Sequence, residues 1–306
     1  MKSRLQSRDH MLTSSFVLLK GIGQSSERRL WQECILDWTA FLRSPALPGI
    51  SSTRKEWYDR ELTTAQSRLE EGDAHYFGTC LKSREHWRLF EAFRHRTLYL
   101  DIETTGMSAR EGHVTVVGLY RNGHMTSLVR GETLTEDRLH AELEQTDLFV
   151  TFFGSGFDIP YLQTKFPRLN FKKPHFDLCF AARRLGMQGG LKHIEHEVQI
   201  ARETDVVGLD GWEAVRLWYQ WCAGDEAARD LLLRYNAADT QNLEPLAALL
   251  YDQMVARFGP SSVGFPPTRY QQPIEVAPLH TPSSGPVSVE PREAMFERRI
   301  KTPWLF

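Results

Sequence analysis

The sequence has little cysteine, no long apolar run and almost no net charge, and each shortage removes a class of protein. Its four cysteines, Cys34, Cys80, Cys179 and Cys222, stand far apart with no Cys-x-x-Cys pair, which leaves out a disulfide framework and a zinc knuckle. No apolar stretch approaches the ~20 residues needed to cross a bilayer. The patch from Phe16 to Leu19 falls short of the about 7 to 15 residues of a signal-peptide core, so the chain is expected in the cytoplasm. What is present is an ordinary globular composition, 41% apolar and 25% charged over 306 residues, enough for one large domain and a smaller one. The net charge of −2 conceals an uneven spread. Residues 1–97 carry 16 Lys and Arg against 12 Asp and Glu, and the remainder 21 against 27. A slightly basic front before an acidic back suits an arm that holds a polyanion beside a site that holds cations.

Residues 259–306 contain nine of the fifteen prolines and read as an extended tail, with Arg298 to Phe306 as a candidate docking segment or a segment folded back on the domain. The first 95 residues read as mainly helical. From Thr97 strands take over: Leu98 to Ile102, Val114 to Tyr120 and His124 to Arg130, the last two joined by Asn122-Gly123, a pair that tolerates positive φ at both turn positions. Thr133-x-x-Glu136 has capping-box spacing and opens a helix to about Thr146, and Leu148 to Phe153 reads as a buried strand. Helical stretches follow at 159–165, 178–185, 191–198, 211–222 and 226–251, the last broken near Pro245 or just before Tyr235. A mixed sheet flanked by helices is the economical architecture.

The chemistry concentrates in acids. Asp101 and Glu103 stand at i and i+2 of the first strand and so share a face. At about 6 to 7 Å their repulsion costs about 2 to 3 kcal/mol at an effective dielectric near 20, a cost with no structural return unless cations neutralise it. Gly154 to Gly156 forms a tight turn that sets Asp158 at a helix start, as an N-cap or as a third acid of the same site. If its strand runs parallel to the first, Asp158 meets the pair at the carboxyl edge of the sheet, where sites gather in α/β proteins. Tyr235 and Asp239, four apart, lie one turn from each other on a late helix.

Asp-x-Glu on a first strand, Phe-Asp after a glycine turn and Tyr-x-x-x-Asp on a late helix resemble the three motifs of the DEDD 3′–5′ exonucleases, in the branch marked by tyrosine. The segments 189–195, 210–219 and 233–239 resemble signatures of the YprB-like ribonuclease H-like domains. The resemblance covers about residues 97–252. It implies an α/β, ribonuclease H-like mixed five-stranded sheet flanked by helices at 96–255, after a small helical region at 1–95 and before a tail at 256–306. It also implies two divalent cations, Mg²⁺ or Mn²⁺, held by Asp101, Glu103, Asp158 and Asp239, and the all-oxygen donor set suits such hard ions. On this resemblance Asp101, Glu103 and Asp239 hold the ion that activates water, Asp101 bridges to the second, Asp158 helps hold that one through water, and Tyr235 orients the nucleophile. The implied activity is 3′–5′ hydrolysis of single-stranded nucleic acid; the hairpin-like front described below puts DNA slightly ahead of RNA as the expected substrate. Alternatives are a catalytically silent binding module on the same fold and a nuclease that cuts internally. One departure stands out: many relatives have Asn five residues before the third acid, where this chain has Phe153.

Thr104 and Lys192 are candidate contacts to the strand, Lys192 being equally a solvated surface charge, and so are Gly21 and Gly23 at the front. Gly21-Ile-Gly23 resembles the turn of one helix-hairpin-helix, in which backbone N–H groups approach a phosphate unobstructed, with Lys20, Arg28 and Arg29 adding charge. An ordinary helix–helix turn is the alternative. The aromatic and basic stretch Lys82 to Arg96 reads as core packing, and His175 and Asp177 as structural.

Overall fold

The computed structural model describes residues 11–260. The basic start at Met1 to Arg8 and the tail beyond Pro260, with its docking segment, lie outside them. Five strands, β1 (Thr97–Thr104), β2 (Val114–Arg121), β3 (His124–Val129), β4 (Leu148–Thr151) and β5 (His175–Asp177), form one mixed sheet in the order β3-β2-β1-β4-β5. The first three pair antiparallel; β1 with β4, and β4 with β5, pair parallel. Asn122 and Gly123 take φ of 51° and 83° and make the expected β2–β3 turn.

Before the sheet come α1 (Gln24–Gln32), α2 (Trp38–Arg43), α3 (Ser52–Glu70), α4 (Ala74–Cys80) and α5 (Phe90–Phe93), and within and after it α6 (Glu136–Glu144), α7 (Asp158–Lys165), α8 (Leu178–Leu185), α9 (Leu191–Glu197), α10 (Gly211–Cys222), α11 (Glu226–Gln241) and α12 (Leu243–Phe258). The break in the last helical stretch falls at Asn242, three residues ahead of Pro245. The capping box is displaced. Thr135 caps α6 by accepting from the Arg138 N–H, whereas the Thr133 hydroxyl accepts from the Val129 N–H and closes the end of β3. The fourth strand stops at Thr151, two residues early, because Thr151 Oγ1 accepts from the Gly154 N–H and pulls the chain into its turn.

Alternation along β1 divides the core. Leu98, Leu100 and Ile102 face one side, under α6 and α7. Tyr99 faces the other with Leu148 and Val150, packed against α8, α12 and the front helices. Trp87, Phe90 and Phe93 are buried there, as their spacing predicts. The helix-hairpin-helix expectation is corrected in one half: α1 does follow Gly23, but the described residues 11–22 form isolated turns, Ser15 N to Leu12 O, Leu19 N to Phe16 O and Ile22 N to Leu19 O, and not a helix. The Phe16 and Val17 N–H groups donate instead to the buried carboxylate of Glu27 on α1.

Candidate metal centre

The side of β1 opposite Ile102 carries the acids. Asp101 pairs with Gly118 and Glu103 with Val116 of β2, and a bulge follows Glu103. The absence of a side chain at Gly118 lets α11 lie directly on the sheet: a Cβ there would collide with Thr240 Oγ1 and Asn236 Oδ1. That close approach brings Asp239 over the strand, and single oxygens of Asp101, Glu103 and Asp239 come within 4.8 Å of one another. Asn236, one turn before Thr240, donates from Nδ2 to Asp101 Oδ2 at 3.0 Å, and its own buried Oδ1 has no partner. Asp158, at the first turn of α7, takes the place beside β1 that β4 vacates and accepts from the Ile102 N–H at 3.1 Å. Its oxygens fall outside the three-acid group, on the same stretch of β1.

Electrostatics mark this as an unfinished site. Burial, followed by repulsion from Glu103, Asp158 and Asp239, pushes the Asp101 carboxyl well up; burial and then Asp239 do the same to Glu103. Burial raises Asp158 to about 7. Two cations of the chain answer in part. Arg202, in the loop after α9, pairs with both Asp239 and Glu195, its Nη2 donating to Glu195 Oε1 at 2.8 Å. Lys192 donates to the Tyr235 hydroxyl at 2.7 Å and to the Leu209 carbonyl, and burial lowers its pKa. Burial, together with the charges of Asp239, Glu103 and Asp101, drives the Tyr235 pKa far above the ordinary value.

A family model for the RNase_H superfamily matches residues 98–251, just over half of the chain. The chain belongs to the RNase H superfamily. No curated protein matches it significantly. Among solved structures, the family B DNA polymerase from the archaeon Pyrobaculum calidifontis is 16% identical with a TM-score of 0.43, the match covering 50% of this chain and 24% of the polymerase. Brucella melitensis NrnC bound to pGG is 19% identical, TM-score 0.41, over 55% of this chain and 78% of that one. The Aedes aegypti Nibbler EXO domain is 13% identical, TM-score 0.39, over 57% and 87%.

Within this RNase H superfamily domain the structure gathers Asp101, Glu103, Asp239 and Tyr235 and sets Asp158 alongside. Lys192 is half-buried, with its amine turned onto the Tyr235 hydroxyl. Thr104 donates to the Gly106 carbonyl and shapes the β1–β2 connection. Gly21 and Gly23 are exposed in a separate turn at the front, where Arg54 lies against Gly21. His175 and Asp177 are structural as read, Thr151 Oγ1 lying 2.8 Å from His175 Nε2 and Asp177 capping α8 through the Cys179 N–H. The sequence reading missed Arg202, Glu195 and Asn236 as members of the site. Lys192 and Glu195, three apart on one helical face, carried a usable signal; Arg202 sits in an unpatterned loop and carried none.

Proposed function

We propose that this chain is a metal-dependent 3′–5′ exonuclease of the tyrosine-marked DEDD type, YprB-like, acting at the 3′ end of single-stranded nucleic acid. The observation that carries the reading is the convergence of Asp101, Glu103 and Asp239 to within 4.8 Å, with burial and mutual repulsion raising the first two. The donor set is all oxygen, and its carboxylates outnumber the nearby Arg202 and Lys192, so the residues fit hard divalent ions. Bound there, two ions, Mg²⁺ or Mn²⁺, supply charge neutralisation and an acidified water, as in other two-metal sites.

The chain's own groups then have separate tasks. Asp101, Glu103 and Asp239 would hold the metal, and Asp158 would contribute from the edge of the site. Asn236 fixes the rotamer of Asp101. Tyr235 stays protonated at any ordinary pH, so it positions the nucleophilic water rather than removing its proton, and Lys192 holds the phenol in place. Attack on phosphorus breaks the bond to O3′ and releases a nucleoside 5′-monophosphate, O3′ taking a proton. Exposed Lys20, Arg28 and Arg29 around Gly21 and Gly23 supply sequence-independent contacts to the strand. Four unpaired thiols fit a reducing compartment, here the cytoplasm.

A silent nucleic-acid-binding module has one observation in its favour, the Arg202 guanidinium already seated on Asp239. End-labelled single-stranded DNA and RNA, blocked at either end and incubated with Mg²⁺ or Mn²⁺, separate the readings. Stepwise mononucleotide release stopped by a 3′ block is expected. Folded protein that releases nothing supports the silent module, and release despite a 3′ block supports internal cutting.

A further inference from the structure

Phe153 is held in a conformation that its residue type resists. Its φ is 64°, in the left-handed region, where a bulky side chain is an outlier. The surroundings enforce it: the Phe153 N–H donates to Asp177 Oδ1 at 2.9 Å, its carbonyl accepts from the N–H groups of Gly156 and Phe157, and Asp177 also holds the Ser155 N–H and hydroxyl. A Cβ on Gly156 would come within 2.7 Å of Phe153 Cζ, so the ring lies across a turn that is bare to receive it. The ring is nevertheless 39% exposed, and so is its neighbour Phe180 on α8, at 45%. The two centroids are 6.0 Å apart with planes tilted by 41°, and the Arg183 guanidinium stands 5.6 Å from the centre of the Phe180 ring.

Core packing does not account for two aromatics fixed in place and left open to solvent. Strain maintained by a dedicated hydrogen-bond set is a reason to look for function at the position. The place is informative as well: the Phe153 carbonyl is bonded to the residue immediately before Asp158, so the pair stands on the same turn as the third acid. We infer that Phe153 and Phe180 form a platform on which one of the two bases flanking the scissile phosphate stacks, with Arg183 facing the strand's backbone. This rests on the exonuclease reading and extends it to the substrate. Stacking on an aromatic face is sequence-tolerant and needs an unpaired base, so the platform selects single strands over duplex ends.

The test uses the full chain, with Phe180→Ala and Phe153→Asn assayed on single strands that are intact or abasic at the terminal or the penultimate nucleotide. On intact strands each variant is expected to raise KM about tenfold with kcat changed less than about threefold. On one of the two abasic strands that penalty disappears. Asn accepts positive φ, so Phe153→Asn should keep or raise Tm, which a purely structural role for the ring would not allow. A penalty equal on intact and abasic strands, or none at all, overturns the platform while leaving the enzyme intact. Wild-type protein inactive on every strand overturns the exonuclease reading and the platform with it.

Discussion

Two clusters of buried charge face opposite fates in this molecule. In the front region the fully buried Arg88 binds Glu27 and Glu85, both at 2.9 Å, and donates to Ser15 Oγ. Glu27 also accepts from two backbone N–H groups, and Gln24 and Arg184 reach Glu85. Burial still raises Glu27, but every partner there opposes it. At the sheet, Arg202 and Lys192 are the cations that reach Asp101, Glu103, Asp158, Asp239 and Glu195 among the described residues, beside neutral donors from Asn236 and the Ile102 N–H. The first cluster is closed by the chain itself and serves the fold; the second is left with an excess of negative charge, and an uncompensated buried charge is tolerated where a ligand completes it.

The largest effect that bears on this contrast concerns turnover. Asp101→Asn is expected to lower kcat by about 10³-fold or more, measured on end-labelled single strands, because metal stabilisation of the reacting charge is worth several kcal/mol. In metal-free buffer the same change should leave Tm unchanged or raise it, since one of several repelling charges is gone. Arg88→Met should do the reverse, costing about 3 to 5 kcal/mol in denaturant unfolding by stranding two buried glutamates, and reducing activity only through the folded fraction. Asp239→Asn sharpens the comparison within the site. It is paired where Asp101 is not, so metal-free unfolding should show a loss of about 1 to 3 kcal/mol as Arg202 gives up a charged partner.

The smallest effect is a pH dependence. Asp158 titrates near 7 when folded and near 3.8 when not, so between those values the folded form holds a proton that the unfolded form has released. Metal-free stability is therefore higher at acid pH and falls as pH rises through 7, and Asp101 and Glu103 extend the fall upward. His175 and His86, held low by burial, act in the opposite sense only below about 6.5. Thermal melts in EDTA from pH 6.5 to 8 should thus show a declining Tm, and saturating Mg²⁺ should flatten the slope.

How much of this was written in the chain follows from which interactions are local. Alternation on β1, the Asn122-Gly123 turn and the four-residue step from Tyr235 to Asp239 depend on near neighbours, and all were legible. The displaced cap at Thr135 was not, because Thr133 found a tertiary use at the end of β3. Nor was the run of isolated turns at 11–22, held by a carboxylate eleven residues away from Phe16. Asn236 and Arg202 enter the site only once Gly118 admits α11 to the sheet and the loop after α9 folds over it, and neither event has a periodic signature. Phe153 was visible as a substitution in a motif; its strained backbone and its partner Phe180 were visible only in three dimensions.

Calorimetric titration of Mn²⁺ into metal-free wild type and Asp101→Asn tests the central claim most directly. The account predicts binding of about two ions to the folded wild type, lost or sharply weakened in the variant, with Tm rising as metal is added. Folded wild type that takes up no metal, or a variant that binds as the wild type does, would contradict it.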